Sequence, residues 1–345
     1  MLRITRISII VLSAVTILFG LYSLSLMEYP ISFSRCLEVI VDHVQGKTYD
    51  PSTDYRGWVE DIMVIQQFIP RTVGGLLIGA VLGMAGSIIQ IVIRNPIADP
   101  YTTGISSGAL LGVILSMCFG ATLIPIGEDM GLMANALIFA MIPSLAIAFL
   151  SIYAKCTSRM IVLIGIGVMM FFSAVCQSLT FISDPMSIKQ VYLWNLGSLN
   201  FIETGDLPFL FFALAVMLAF CIINHGKLSV MIAGDNMATS LGVDYKKFRI
   251  ESFMVVSVCT AIAVSFSGAI GFIGLVIPHI CKLLFRTTRY SLFASAVVGA
   301  LILNVSDVVA RLIILGGLPV GVITAAIGSP LFLYLLVKSS RQRRL

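Results

Sequence analysis

Residues able to do chemistry are few in this chain and widely scattered. The three histidines, His43, His225 and His279, lie far apart in sequence, and none has a neighbour at metal-ligand spacing. His279 follows Pro278 inside an apolar run and reads as a hydrogen-bonded structural residue. The seven cysteines, Cys36, Cys118, Cys156, Cys176, Cys221, Cys259 and Cys281, form no CxxC pair. Most sit in or beside apolar runs, where cysteine behaves as a small hydrophobe; only Cys36 falls in a long polar stretch, with no obvious partner. There is no phosphate-binding loop ending in Gly-Lys-Ser/Thr, no HExxH, no GxSxG and no paired-carboxylate arrangement. The sequence therefore predicts no catalytic residues and no bound metal or cofactor. One charged pair stands out. Asp307 and Arg311 are four residues apart in an apolar run and share a helix face. Charges in lipid mark ion paths or pair with one another, and at this stage both readings stand.

The elements around these residues are membrane helices. Pro70–Leu115 reads as two apolar helices joined by a polar turn, Arg94-Asn95-Pro96-Ile97-Ala98-Asp99-Pro100. The first helix carries Gly75, Gly79 and Gly83 at four-residue spacing, continued by Ser87, and the second carries Gly104, Gly108 and Gly112. Such rows let backbones approach closely in lipid. They predict a tightly packed helical hairpin with a polar elbow, because the two prolines cannot continue a helix.

Composition supports the membrane setting. The 345 residues are 58% hydrophobic and only 11% charged, against about 45–50% and about 25% in soluble domains. The length suits roughly ten spans of about 20 residues and leaves no room for an added soluble domain. The net charge of +5 resides in short segments between apolar runs, so it reports orientation rather than a nucleic-acid partner. Arg3 and Arg6 precede the first predicted span, Ile7–Leu26, which lacks a cleavage-site pattern. A long outer loop, 27–67, is rich in acids. After the hairpin, spans are predicted at Leu132–Tyr153, Met160–Ile182, Leu207–Ile223, Ile250–Phe266, Ile270–Leu284, Leu292–Ile314 and Val320–Val337. The bias of Lys and Arg toward one set of loops predicts ten spans with both termini cytoplasmic. The largest inner loop, 225–249, mixes apolar Val230, Met231, Ile232, Ala238 and Leu241 with polar residues, so it is expected to dock a cytoplasmic protein. Ser229–Leu241 is expected to form one or two short helices broken near Gly234-Asp235, with Gly242 ending the second as a cap.

Six motifs follow in order: PRT at Pro70–Thr72, the NPIADP elbow, WNLGSL at Trp194–Leu199, GDNMATSLGV at Gly234–Val243, SGAIGFIGLVIPHICKLLFR at Ser267–Arg286, and LPVGVITAAIGSPLFLYLL at Leu318–Leu336. Together they make most of the chain resemble the FecCD-type permeases of ABC importers, which move iron–siderophore complexes, haem and cobalamin. The resemblance implies an all-α membrane fold like that of the cobalamin permease, as one permease domain over residues 1–345. It implies a homodimer in the cytoplasmic (inner) membrane, separate ATPase subunits that bind ATP-Mg, and a shared extracytoplasmic substrate-binding protein. It assigns Gly234, Ala238, Leu241 and Gly242 to ATPase coupling, and Arg71 and Arg311 to docking of the binding protein, with Phe68 where the cobalamin permease has a third arginine. It places Asn95 and Ile97 at an inner gate and Thr157 and Ser158 at a second constriction. Gly165, Gly167, Met169, Met170, Gly321, Thr324 and Gly328 are assigned to the path.

The resulting expectation is a non-enzymatic permease subunit that imports a metal chelate by alternating access, an iron–siderophore complex first, with cobalamin or haem as the alternative. A secondary carrier working through Asp307 without an ATPase is the rival class.

Overall fold

Apolar runs separated by short polar turns fold here into helices alone, because a backbone in lipid must satisfy its hydrogen bonds within each segment. The computed structural model describes residues 2–27, 29, 31–125, 127–153, 158–285, 288–314 and 317–342. The helices are α1 (Leu2–Ser23), α2 (Phe33–Val44), α3 (Tyr55–Ile62), α4 (Ile69–Ile93), α5 (Ile105–Phe119), α6 (Glu128–Tyr153) and α7 (Ser158–Phe181). They continue with α8 (Pro185–Asn195), α9 (Leu207–Ala233), α10 (Asp235–Ser240), α11 (Tyr245–Ser267), α12 (Ile273–Leu284), α13 (Thr288–Ile313) and α14 (Val320–Gln342).

Among the described residues, seven helices are long and apolar enough to cross a membrane. Three apolar helices are shorter: Ile105–Phe119, Ile273–Leu284 and Val320–Leu335. The chain is thus a multi-pass, all-α membrane protein, with seven clear spans among its described residues.

α4 is the central post, buried along almost its whole length. Its glycine row works as spacing predicts, but against other partners. A Cβ on Gly79 would strike the carbonyl of Gly299, one on Gly299 would strike that of Gly79, and one on Gly83 would strike that of Ser295. Ser87 continues the seam by donating to Ser295 Oγ at 2.7 Å. Both partners, Gly299 and Ser295, belong to α13, and Gly86 meets Gly274 of α12. On α5, Gly108 and Gly112 face the carbonyls of Phe139 and Asn135 on α6. The expected α4–α5 hairpin is therefore corrected. Both rows pack tightly, yet the two helices scarcely touch each other, because the elbow swings α5 away.

Both long loops contain helices. The stretch 27–67 contains α2 and α3, and a π-helical turn, Met63–Phe68, runs straight into α4. Glu60 holds this cap together, accepting from Arg35 at 2.7 Å and Arg56 at 2.9 Å. Cys36 is buried beside Val39, Val64 and Phe68 rather than lying in a polar loop. At 225–249 the chain breaks at Gly234, as expected, but α9 continues unbroken to Ala233, ten residues past the predicted end of its span.

Candidate translocation site

The elbow does not stay at the end of α4. Arg94 caps that helix in a left-handed conformation, φ 54°, and Asn95 Oδ1 accepts from the Ile97 amide at 3.1 Å. The chain then climbs. Gly274, at the start of α12, has Asp99 Oδ1 and the carbonyl of Leu82 on its Cβ side, which sets Asp99 level with the middle of α4. Two residues on, Tyr101 Oη accepts from the Ile270 amide at 3.0 Å. Ile270 belongs to a second irregular stretch, 268–272, between α11 and α12. Two breaks in the helical pattern thus meet inside the bundle. Irregular backbone is tolerated at that depth only where protein or a cavity covers it, and this climb is why α5 has just 15 residues and α12 just 12. Spacing alone hides this, since Asp99 reads there as part of a surface turn.

Beside Tyr101 lies a cavity of about 780 Å³. α5 contributes Ser106, Ser107 and Leu110; α7 contributes Met169, Ser173, Cys176, Gln177, Thr180 and Phe181; α8 closes one end with Ile188 and Asn195. None of these residues is an acid, lysine, arginine or histidine. The walls offer hydroxyls, amides, a thiol and soft apolar groups, which suits contact with a large body without strong binding. The sequence carried a signal for this wall: Ser173, Gln177 and Thr180 recur at helical spacing along an apolar span.

Of the residues assigned to the path, Met169 lines this cavity. Met170 and Gly167 face outward, and Gly165 packs against the Thr102 carbonyl. Gly321 sits against the carbonyls of Leu196 and Ala269, Gly328 against the Phe272 ring, and Thr324 is buried with its hydroxyl on Gly321 O at 3.0 Å. Gly321 and Gly328 thus pack α14 against the irregular stretch 268–272. Ile97 is exposed. Ser158 begins α7, and Thr157 lies outside the described residues.

At the α10 end, Gly234 (φ 118°) separates α9 from α10, and Gly242 (φ 77°) follows α10 with open space around it. Ala238 is turned inward and fully buried, whereas Ile232, Met237 and Leu241 are exposed and form an apolar patch. Ile232 and Leu241 are among the apolar residues the sequence offered for docking, and Met237 is the one it did not.

At the opposite end, Asp307 is shared by two guanidiniums. Arg71 reaches it at 2.9 Å and Arg311 at 2.8 Å. Arg311 also donates to the Leu26 carbonyl at 3.3 Å and contacts Met27 Sδ. The Asp307 and Arg311 side chains are 2% and 1% exposed, and that of Arg71 is 13% exposed. Both arginines turn inward, so the cluster ties α4, α13 and the segment just after α1 together.

With this geometry in view, the comparisons are decisive. The family model described as the FecCD transport family matches residues 15–338. The chain belongs to the FecCD transport family. An iron chelatin transport system permease of Helicobacter pylori J99 is 32% identical over 331 residues, 96% of each chain. The vitamin B12 import system permease BtuC of Salmonella typhi is 34% identical over 307 residues, covering 88% of this chain and 93% of the relative. A solved inward-facing structure of a metal-chelate-type ABC transporter superposes with TM-score 0.81 at 26% identity, over 96% of this chain and 98% of that one. This FecCD permease is therefore a metal-chelate transport subunit of the ABC-importer class, and not an enzyme.

Proposed function

We propose that the chain is one of two identical membrane subunits of an ATP-driven importer whose cargo is a bulky metal chelate. The observation that carries this reading is the large, uncharged cavity between α5, α7 and α8, within the usual size of ligand cavities, about 300–1,000 Å³. Ten crossings follow if α5, α12 and α14 complete the count, with both termini cytoplasmic by the charge bias of the loops. The patch of Ile232, Met237 and Leu241, with Gly234, Ala238 and Gly242 shaping it, receives the ATPase that binds ATP-Mg. Movement there opens and closes gates at Asn95, Ile97, Thr157 and Ser158. Arg71 keeps some surface to offer an extracytoplasmic binding protein, and Arg311 braces it through Asp307.

For cargo, the Helicobacter relative, matched over nearly its full length, favours an iron chelate. The B12 permeases, at slightly higher identity over less of the chain, favour cobalamin. Uptake of an iron-labelled ferric chelate and of cobalt-labelled cobalamin, measured in parallel in vesicles, separates the two. The importer class is tested by the intact mass of the complex extracted gently from its native membrane. Two copies of this chain with two nucleotide-binding subunits are expected. A chain that emerges alone and transports without ATP overturns the proposal, and a gradient-driven carrier replaces it.

A further inference from the structure

We infer that Arg249 is a positioning residue that carries movement of α10 into the last turn of α4, and through it into the elbow. The inference rests on the reading that α10 receives the ATPase.

Arg249 lies near the start of α11, and its side chain is only 5% exposed. Its Nη2 meets Asp235 Oδ1, on the first residue of α10, at 2.9 Å. Its Nε donates to the carbonyl of Val92 at 3.3 Å, and its Cζ stands 5.3 Å from the centre of the Tyr245 ring. Val92 belongs to the final turn of α4, whose carbonyls have no partner within the helix. One guanidinium thus joins three elements: α10, α11 and the end of α4 from which the elbow departs.

Guanidinium chemistry makes this a stiff joint. Its planar fork holds two acceptors in fixed relation, which a lysine ammonium cannot do. The covalent link from α9 to α10 is, by contrast, Gly234, at a φ of 118° where the backbone is least restrained. Asp235, Arg249 and Val92 therefore give displacement of α10 a stiff side-chain route to the end of α4, beside its covalent links. Val92 is three residues from Asn95, so the elbow is the next segment to respond.

The test uses the complete complex with its ATPase in lipid nanodiscs, spin-labelled at I97C in both copies. The distance between the two elbow labels is measured with and without ATP-Mg and vanadate. The unaltered complex is expected to show a nucleotide-dependent change in distance. In R249Q that change should be lost while ATP hydrolysis continues, and R249K, which can hold only one of the two acceptors, should restore part of it. D235A, altered at a partly exposed position, should also lose the change, and the R249Q/D235A double variant should be no worse than either single one. If R249Q fails to assemble, D235A decides alone. An elbow that still moves fully in D235A or R249Q overturns the inference and leaves the importer reading intact. An elbow that never responds to nucleotide in the unaltered complex overturns that reading and the inference with it.

Discussion

Asp307 illustrates how one carboxylate can decide the state of its surroundings. Between Arg71 and Arg311 it leaves a buried cluster with a single net positive charge. Removing one partner of a buried pair costs about 3–5 kcal/mol, because the remaining charge is left uncompensated. Asp307→Asn should therefore lower the melting temperature in detergent sharply. Arg71→Gln leaves the Asp307–Arg311 pair complete and should lower it less. Equal melting of D307N and the unaltered chain would refute a bracing role. The pairing also bears on the rival carrier mechanism: a carboxylate held by two guanidiniums is poorly placed to take up and release an ion. The i,i+4 relation of Asp307 and Arg311 was legible in the sequence. Arg71, 236 residues away, was not, because nothing local records which distant helix brings a third charge.

At the scale of elements, α8 is held by a cap that can be tested. Asp184 Oδ1 accepts from the amides of Met186 and Ser187, both at 3.0 Å. The Ser187 hydroxyl first, and then the Ser187 and Met186 amides, hold its carboxyl below the ordinary aspartate value. A depressed folded value means the contribution is present above the unfolded value of about 3.9 and lost as pH falls through the folded one. Amide-exchange protection of α8 should thus be flat from neutral pH down to about 4 and fall only in stronger acid. Asp184→Ala should lose that protection at neutral pH, and unchanged exchange would exclude the cap. Because α8 carries Ile188 and Asn195 into the cavity, fraying it also loosens the wall. The glycine rows show how far elements could be read from the chain. Four-residue spacing states that a face is small, and Gly79, Gly83, Gly108 and Gly112 all meet backbone. Spacing does not state which backbone. That depended on the climb of residues 95–104, whose path is set by contacts with Leu82, Ile270 and Gly274, all distant in sequence. The break at Gly234 was legible, but the continuity of α9 up to it was not: His225–Ala233 contains no proline to stop the helix, and its polar residues read as the end of the span.

For the whole molecule, the division of labour follows from where charge and bulk lie. The cavity is lined by uncharged residues, the α10 end exposes Ile232, Met237 and Leu241, and the far end buries the net positive cluster around Asp307. Gly242→Arg should abolish uptake while leaving the chain inserted and extractable, because a large charged side chain would stand in open space on the coupling face and strain a backbone at φ 77°. Unchanged uptake would remove α10 and its cap from the coupling role. α7 presents Leu163, Met170 and Phe171 on an exposed apolar face, consistent with lipid or a second copy alongside it. Motion in such a molecule cannot be spread evenly. Where α13 meets α4, at Gly79, Gly83 and Gly299, no side chain separates the two backbones, so there is no compliant layer to shear. Sliding one helix along the other by a fraction of a turn would drive an α-carbon into a carbonyl, much as a key in its slot stops a gear from slipping on its shaft. The pair must travel as one rigid part, and any transport cycle has to find its bearings elsewhere, among the helices that meet through side chains.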